Sequence, residues 1–202
     1  MENVTEETSN PFGMRVGGDA VYGYGDANAD FHVVGDHPGR HGGVGTGVPF
    51  TGSVAGVRLQ RVLHDVGFAA EPYADRPDLE DCYLSYLHPR VPEDRDPTDD
   101  SYEEMERFLD AELRAINAHI ILAVGDRPLE YALREHTSLA NELPADADAL
   151  HAEEVRGRGF LVVPVADPDR WTPAEEAALR ERLEALLASD YRQTKGVATT
   201  VG

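Results

Sequence analysis

The sequence predicts a single α/β domain built on a four-stranded, mostly parallel sheet flanked by helices. Three observations carry that expectation. Apolar runs at residues 30–35, 82–87, 120–124 and 160–165 are short and bounded by glycine, proline or charge, as buried strands are. Stripes of helical period separate the runs, and such alternation is the pattern of a parallel sheet with right-handed crossovers. Finally, 202 residues of 41% hydrophobic content suit one core better than two.

In chain order, residues 1–29 are polar and glycine-rich without sustained periodicity, and read as a lead-in to a domain spanning 30–190. The first strand, 30–35, runs into a loop of Gly, Pro and His that lasts to Gly52. Ser53 offers an N-cap, and Val54, Val57, Leu59, Val62, Leu63 and Val66 form a helical stripe that Gly67 ends. The second strand, 82–87, precedes a charged loop interrupted by Pro89, Pro92 and Pro97. Ser101 followed by Glu104 has capping-box spacing, and Met105, Phe108, Leu109, Leu113 and Ile116 give the next helix its apolar face. The third strand, 120–124, ends at Gly125 before a short helix over 128–133. Residues 137–154, acidic and alanine-rich, read as a surface excursion before the fourth strand, 160–165. Thr172 and Pro173 open a last helix with Leu179, Leu183, Leu186 and Leu187 as its buried stripe, and 191–202 reads as a flexible tail.

Charge sets the protein apart. Its 38 acidic residues face 18 basic ones, a net charge of −20, and Lys195 is the one lysine. The apolar runs argue against disorder, so the acid lies on the surface, where molar salt screens like charges to within about 3 Å. Lysine depletion with excess carboxylate resembles the proteins of haloarchaea; an acidic mesophilic protein is the alternative. Net acidity speaks against nucleic acid in general, but a local patch of arginine inside an acidic shell suffices for DNA. Cys82 is the single cysteine, so neither a disulfide nor a cysteine-ligated metal site can be built from this chain, and no cofactor or metal is expected. With no apolar signal region and no run of about 18 apolar residues, a cytoplasmic location, no membrane contact and a monomer are expected.

Loops after parallel strands emerge at the strands' carboxyl ends, where residues distant in sequence share one crevice. Three segments meet there: Gly35-Asp36-His37-Pro38-Gly39, then Pro49-Phe50-Thr51-Gly52 with Ala55-Gly56, and Asp167-Pro168-Asp169-Arg170. Together with Arg95-Asp96-Pro97-Thr98 and the strand closed by Gly125, they stand in the order and spacing of the uracil-DNA glycosylase superfamily. The chain resembles that family over about residues 31–171, and within it the iron-sulfur thermophilic branch, without that branch's cysteines; Pro89 stands where one should fall.

The resemblance implies a pocket for a base flipped out of DNA, and hydrolysis of its glycosidic bond. His37 falls where several branches contact the attacking water, and a neutral imidazole suits that task; it equally suits hydrogen bonding within the loop. Asp36, beside it, is a candidate for electrostatic assistance or for holding the turn. Phe50 matches the aromatic that stacks on the base, with core packing as the alternative, and Gly35 lines the same pocket. Ser85 falls where the branch has an Asn that reads the uracil edge, with one hydroxyl in place of an amide's donor and acceptor. Asp167 replaces the histidine of a His-Pro-Ser motif that stabilises the departing base; it suits that role only if it is protonated, and otherwise serves as a turn residue. Pro38, Gly39, Arg40, Gly52, Ser53, Pro168, Asp169 and Arg170 are implied as DNA contacts. The expected function is therefore a glycosylase acting on DNA that contains uracil or another deaminated base. A family member that binds DNA or a nucleotide without cleaving it, or a different hydrolase on a related sheet, are the alternatives.

Overall fold

The computed structural model describes residues 10–93, 96–189 and 191. Its sheet has six strands, not the four expected, in the order β1-β3-β2-β4-β6-β5. The four expected strands are the parallel centre: β2 (Phe31–Gly35), β3 (Cys82–Tyr86), β4 (Ile120–Val124) and β6 (Leu161–Val165). The additions are antiparallel edge strands, β1 (Tyr24–Gly25) and β5 (Val155–Arg156). At two residues each they are too short to show the alternation by which a strand is read from sequence.

Every residue of the four central strands is buried, which is why these runs are apolar without a break. Helices cover both faces. On one side α2 (Val54–Asp65) and α5 (Pro173–Leu187) bring Leu59, Val62, Leu63, Leu179, Leu183 and Leu186 onto Phe31, Val33, Leu84, Leu122 and Val163. On the other, α3 (Asp99–Ile116) places Tyr102, Leu109 and Leu113 against Val34 and Ile121, and α4 (Asp126–His136) places Leu129, Ala132 and Leu133 against Ala123 and Val162. A one-turn helix, α1 (Pro38–His41), follows β2 directly.

Local chemistry departs from expectation in five places. Thr98, not Ser101, caps α3, accepting from the Ser101 N–H, while the Ser101 hydroxyl pairs with His88 Nε2 at 2.8 Å. Phe108 lies at the rim of the α3 face under the Arg107 guanidinium, and Leu187 is exposed. The α4 helix runs past both ends of the segment expected, because Pro128 lies in its first turn, where no intrahelical N–H is needed. The excursion over 137–154 is anchored, with Ala147 buried and Leu139, Leu143 and Leu150 packed beside it. Tyr191, read as the start of the tail, sets its ring edge-on to Phe31 at 5.3 Å; residues 192–202 lie outside the described residues. Among the described residues no helix is long and apolar enough to cross a membrane.

Candidate active site

At the carboxyl end of β2 three rings close over one glycine. A Cβ on Gly35 would stand 2.5 Å from Phe50 Cζ, 2.8 Å from His41 Nδ1 and 2.8 Å from Tyr86 Cε1, closer than any side chain allows. The His41 imidazole lies nearly parallel to the Phe50 ring, 5.3 Å between centroids at 19°, and Tyr86 leans on Phe50 at 5.3 Å. Phe50 has a left-handed backbone, φ 55°, which a bulky residue keeps only where its surroundings over-determine it. Here they do: Phe50 N–H donates to Tyr86 Oη at 2.7 Å, and Gln60 Nε2 donates to Phe50 O at 2.8 Å.

Asp36 faces the other helical layer. Its Oδ1 accepts from the Tyr102 hydroxyl at 2.5 Å, and Oδ2 lies 3.6 Å from Arg40. The Asp36 N–H donates to His41 Nδ1 at 3.1 Å, which leaves the proton of the neutral imidazole on Nε2. That Nε2 is buried without a hydrogen-bond partner, 3.7 Å from Asp167 Oδ1. Ser53 ties the same segment to α2, its hydroxyl donating to His41 O at 2.7 Å and accepting from the Gly56 N–H.

Asp167 arrives from β6 and caps a turn of 3-10 helix, Pro168–Arg170. Arg40 Nε donates to its Oδ2 at 2.6 Å, joining loops 127 residues apart. Burial opposes ionisation of Asp167, but His41 and the Arg40 guanidinium outweigh it and hold the carboxyl below the usual carboxylate range. It is therefore a carboxylate near neutral pH, with no proton to donate. His37 is also buried, with Nε2 3.7 Å from the exposed Asp96 and Nδ1 unpartnered. Burial lowers its pKa, against partial compensation from Asp36 and Asp96, so its imidazole is neutral at pH 7. A cleft of about 560 Å³ lined by His88, Pro92, Asp96 and Ser101 opens on that side.

Of the residues singled out from sequence, Gly35, Asp36, His37, Phe50 and Asp167 come together, all of them buried. Phe50 lies under His41 and is wholly buried, so the imidazole occupies one of its faces. Ser85 stands apart, on the face of β3 opposite Tyr86. It is buried with His32 Nε2 at 2.7 Å, and that nitrogen lies 4.0 Å from Glu112, which accepts from Tyr83 Oη at 3.0 Å. Gly39, Arg40, Asp169 and Arg170 are exposed on the rim, while Pro38 and Pro168 are buried beneath it. Gly52 and Ser53 line a groove of about 500 Å³ with Arg58, Arg61 and Tyr73. Arg40 and Arg170 face carboxylates, Arg170 through Asp148 at 3.5 Å, but Arg58 donates to two carbonyls, Pro168 O and Trp171 O. The basic part of the rim is thus the Arg58–Arg61 groove.

Sequence reasoning missed His41, Tyr86 and Tyr102. His41 had one signal, its position one helical turn after His37 and just before Gly42 and Gly43, both at positive φ.

A doubly covered parallel sheet with imidazoles and carboxylates gathered at the carboxyl ends of its strands defines an α/β domain with a buried polar cluster where such folds place their ligand sites. The family model described as the uracil DNA glycosylase superfamily matches residues 22–187, and the chain belongs to that superfamily. It is 33% identical over 145 residues to a type-5 uracil-DNA glycosylase of Thermus thermophilus, covering 70% of this chain and 66% of that protein. It is 25% identical over 178 residues to a type-4 uracil-DNA glycosylase of Saccharolobus solfataricus, covering 87% and 74%.

An iron-sulfur cluster does not fit these residues. The one cysteine, Cys82, is buried within β3 with its thiol pushed up by burial, and no group of three or more His, Cys, Asp or Glu among the described residues is arranged to hold a metal ion. Around Pro89, backbone bonds tie the lead-in down instead: Val21 N–H to Pro89 O and Val91 N–H to Asp19 O, each at 2.8 Å, with Arg90 reaching Val16 O.

Proposed function

We propose that the protein is a DNA glycosylase of base-excision repair, hydrolysing the glycosidic bond of uracil or another deaminated base. The observation that carries the reading is the Arg40–Asp167 contact, which holds the first and closing segments of a superfamily member together beside the imidazoles of His37 and His41. In the reaction the glycosidic bond breaks with its electron pair leaving on the base, and water bonds to the sugar carbon. His37 orients that water and takes its proton, while Asp36, fixed by Tyr102, adds negative charge where the sugar becomes cationic. Gly35 and Phe50 form the floor of the pocket, and Ser85 braces it from behind the sheet. Gly39, Arg40, Asp169 and Arg170 meet the DNA at the rim, supported from beneath by the buried Pro38 and Pro168, and the groove of Gly52, Ser53, Arg58 and Arg61 takes its phosphates. The protein acts as a monomer in the salt-rich cytoplasm of a halophile.

A second reading, binding of a damaged base without cleavage, is favoured by two observations: the site residues are buried and Asp167 is ionised. Oligonucleotides containing uracil, hypoxanthine or xanthine, incubated with the protein in molar KCl, separate the two. Abasic sites, revealed by alkali and absent with His37→Ala, support cleavage; retained DNA without breaks supports binding.

A further inference from the structure

A departing base carries the electron pair of the broken bond, so a rate gain requires a donor aimed at its oxygen. Asp167, in the place expected to supply it, is ionised. His41 has the needed group. It is wholly buried, its tautomer is set by the Asp36 N–H on Nδ1, and its plane is set by Phe50 beneath it. Its Nε2 has no hydrogen-bond partner: Asp167 Oδ1, the carboxylate oxygen it faces, is 3.7 Å away, too far for a hydrogen bond, and Arg40 holds that carboxylate by its other oxygen. Leaving a buried donor without an acceptor is costly, and a ligand oxygen removes that cost.

We infer that His41 Nε2–H donates a hydrogen bond to a carbonyl oxygen of the departing base, a role that rests on the glycosylase reading and makes His41 a catalytic residue. The two imidazoles divide the work by direction. His37 faces Asp96 and serves the water; His41 faces Asp167 and serves the base. The base oxygen takes the place of Asp167 Oδ1 beside Nε2, with Arg40 neutralising the carboxylate that the base anion would otherwise meet. The balance closes simply: the base leaves as an anion hydrogen-bonded to His41, water supplies hydroxyl to the sugar and a proton to His37, and solvent protonates the released base.

The test compares excision of uracil with that of 5-fluorouracil, whose fluorine stabilises the leaving anion, by wild type and His41→Gln in molar KCl. Loss of a leaving-group donor lowers the single-turnover rate on uracil by about 10²- to 10³-fold and on 5-fluorouracil by about tenfold or less. A structural role lowers both equally, since misfolding reduces the amount of active enzyme whatever the base, and equal losses or no loss overturn the proposal. Wild-type protein that releases neither base overturns the glycosylase reading and this role with it; an active wild type with equal losses overturns the role alone. A measurement on the wild type needs no variant. With ¹⁵N-labelled histidine, free uracil at concentrations that inhibit excision shifts the His41 Nε2–H resonance downfield; an unmoved resonance overturns the proposal.

Discussion

Arg40 donates its Nε–H to Asp167 Oδ2 at 2.6 Å, and that contact fastens the first loop of the domain to the last. Asp167 is buried, whereas Arg40 is 45% exposed, so the carboxylate depends on a cation that solvent reaches.

Arg40→Ala therefore strands a buried carboxylate. A hydrogen bond to a charged group is worth about 1.5 to 3 kcal/mol, and exposure of Arg40 places the expected loss at the low end, about 1 to 2 kcal/mol. Denaturant unfolding at pH 7 checks the value, and Arg40→Ala combined with Asp167→Asn recovers most of it.

Gly35→Ala puts a methyl group where Phe50, His41 and Tyr86 already meet. Overpacking of that kind costs about 1 to 3 kcal/mol, and the rings have to separate to admit it. Chemical denaturation and excision rate both report the change; the expected result is a folded, less stable protein with excision lowered at least tenfold.

Behind the sheet, His32, Ser85, Tyr83 and Glu112 form a buried polar chain in which burial raises Glu112 to about 7. Because its folded pKa lies above the unfolded value of 4.5, the group's contribution to stability is fully present below 4.5 and is lost as pH rises through 7. The loss is on the order of 3 kcal/mol. Glu112→Gln is thus expected to be more stable than wild type at pH 8 by up to that amount, with the difference vanishing near pH 4. Comparison of the two proteins cancels the opposite effect of His32, which burial lowers to about 3.

The net charge of −20 implies self-repulsion in dilute buffer. The thermal midpoint is expected to rise by several degrees between 0.1 and 2 M KCl, as followed by circular dichroism; a midpoint that falls or stays level speaks against a surface adapted to salt.

The central sheet was legible because its strands are buried on both faces and so are continuously apolar. Edge strands of two residues carry no such signal. The direction in which Ser85 points depends on which parity of β3 faces α2: Leu84 and Tyr86 take that face, and Ser85 falls on the other. His37 was visible through its neighbours Gly35 and Pro38. His41 was not, because its character comes from a ring stacked 5.3 Å away on Phe50 and a carboxylate 126 residues further along the chain, relations that spacing does not record. The ionisation of Asp167 was equally hidden, since its cause is the fold-dependent approach of Arg40.

The most direct measurement is single-turnover excision of uracil from a defined oligonucleotide in molar KCl by wild type and His37→Ala across pH 5 to 9. Since burial lowers the pKa of His37, the wild-type rate is expected to be level above pH 7 and to fall only below its ordinary value of 6.5. The variant is expected to lose about 10²- to 10⁴-fold at pH 7, along with the acid limb. A wild type that retains uracil-containing DNA but releases no base at any pH contradicts the account.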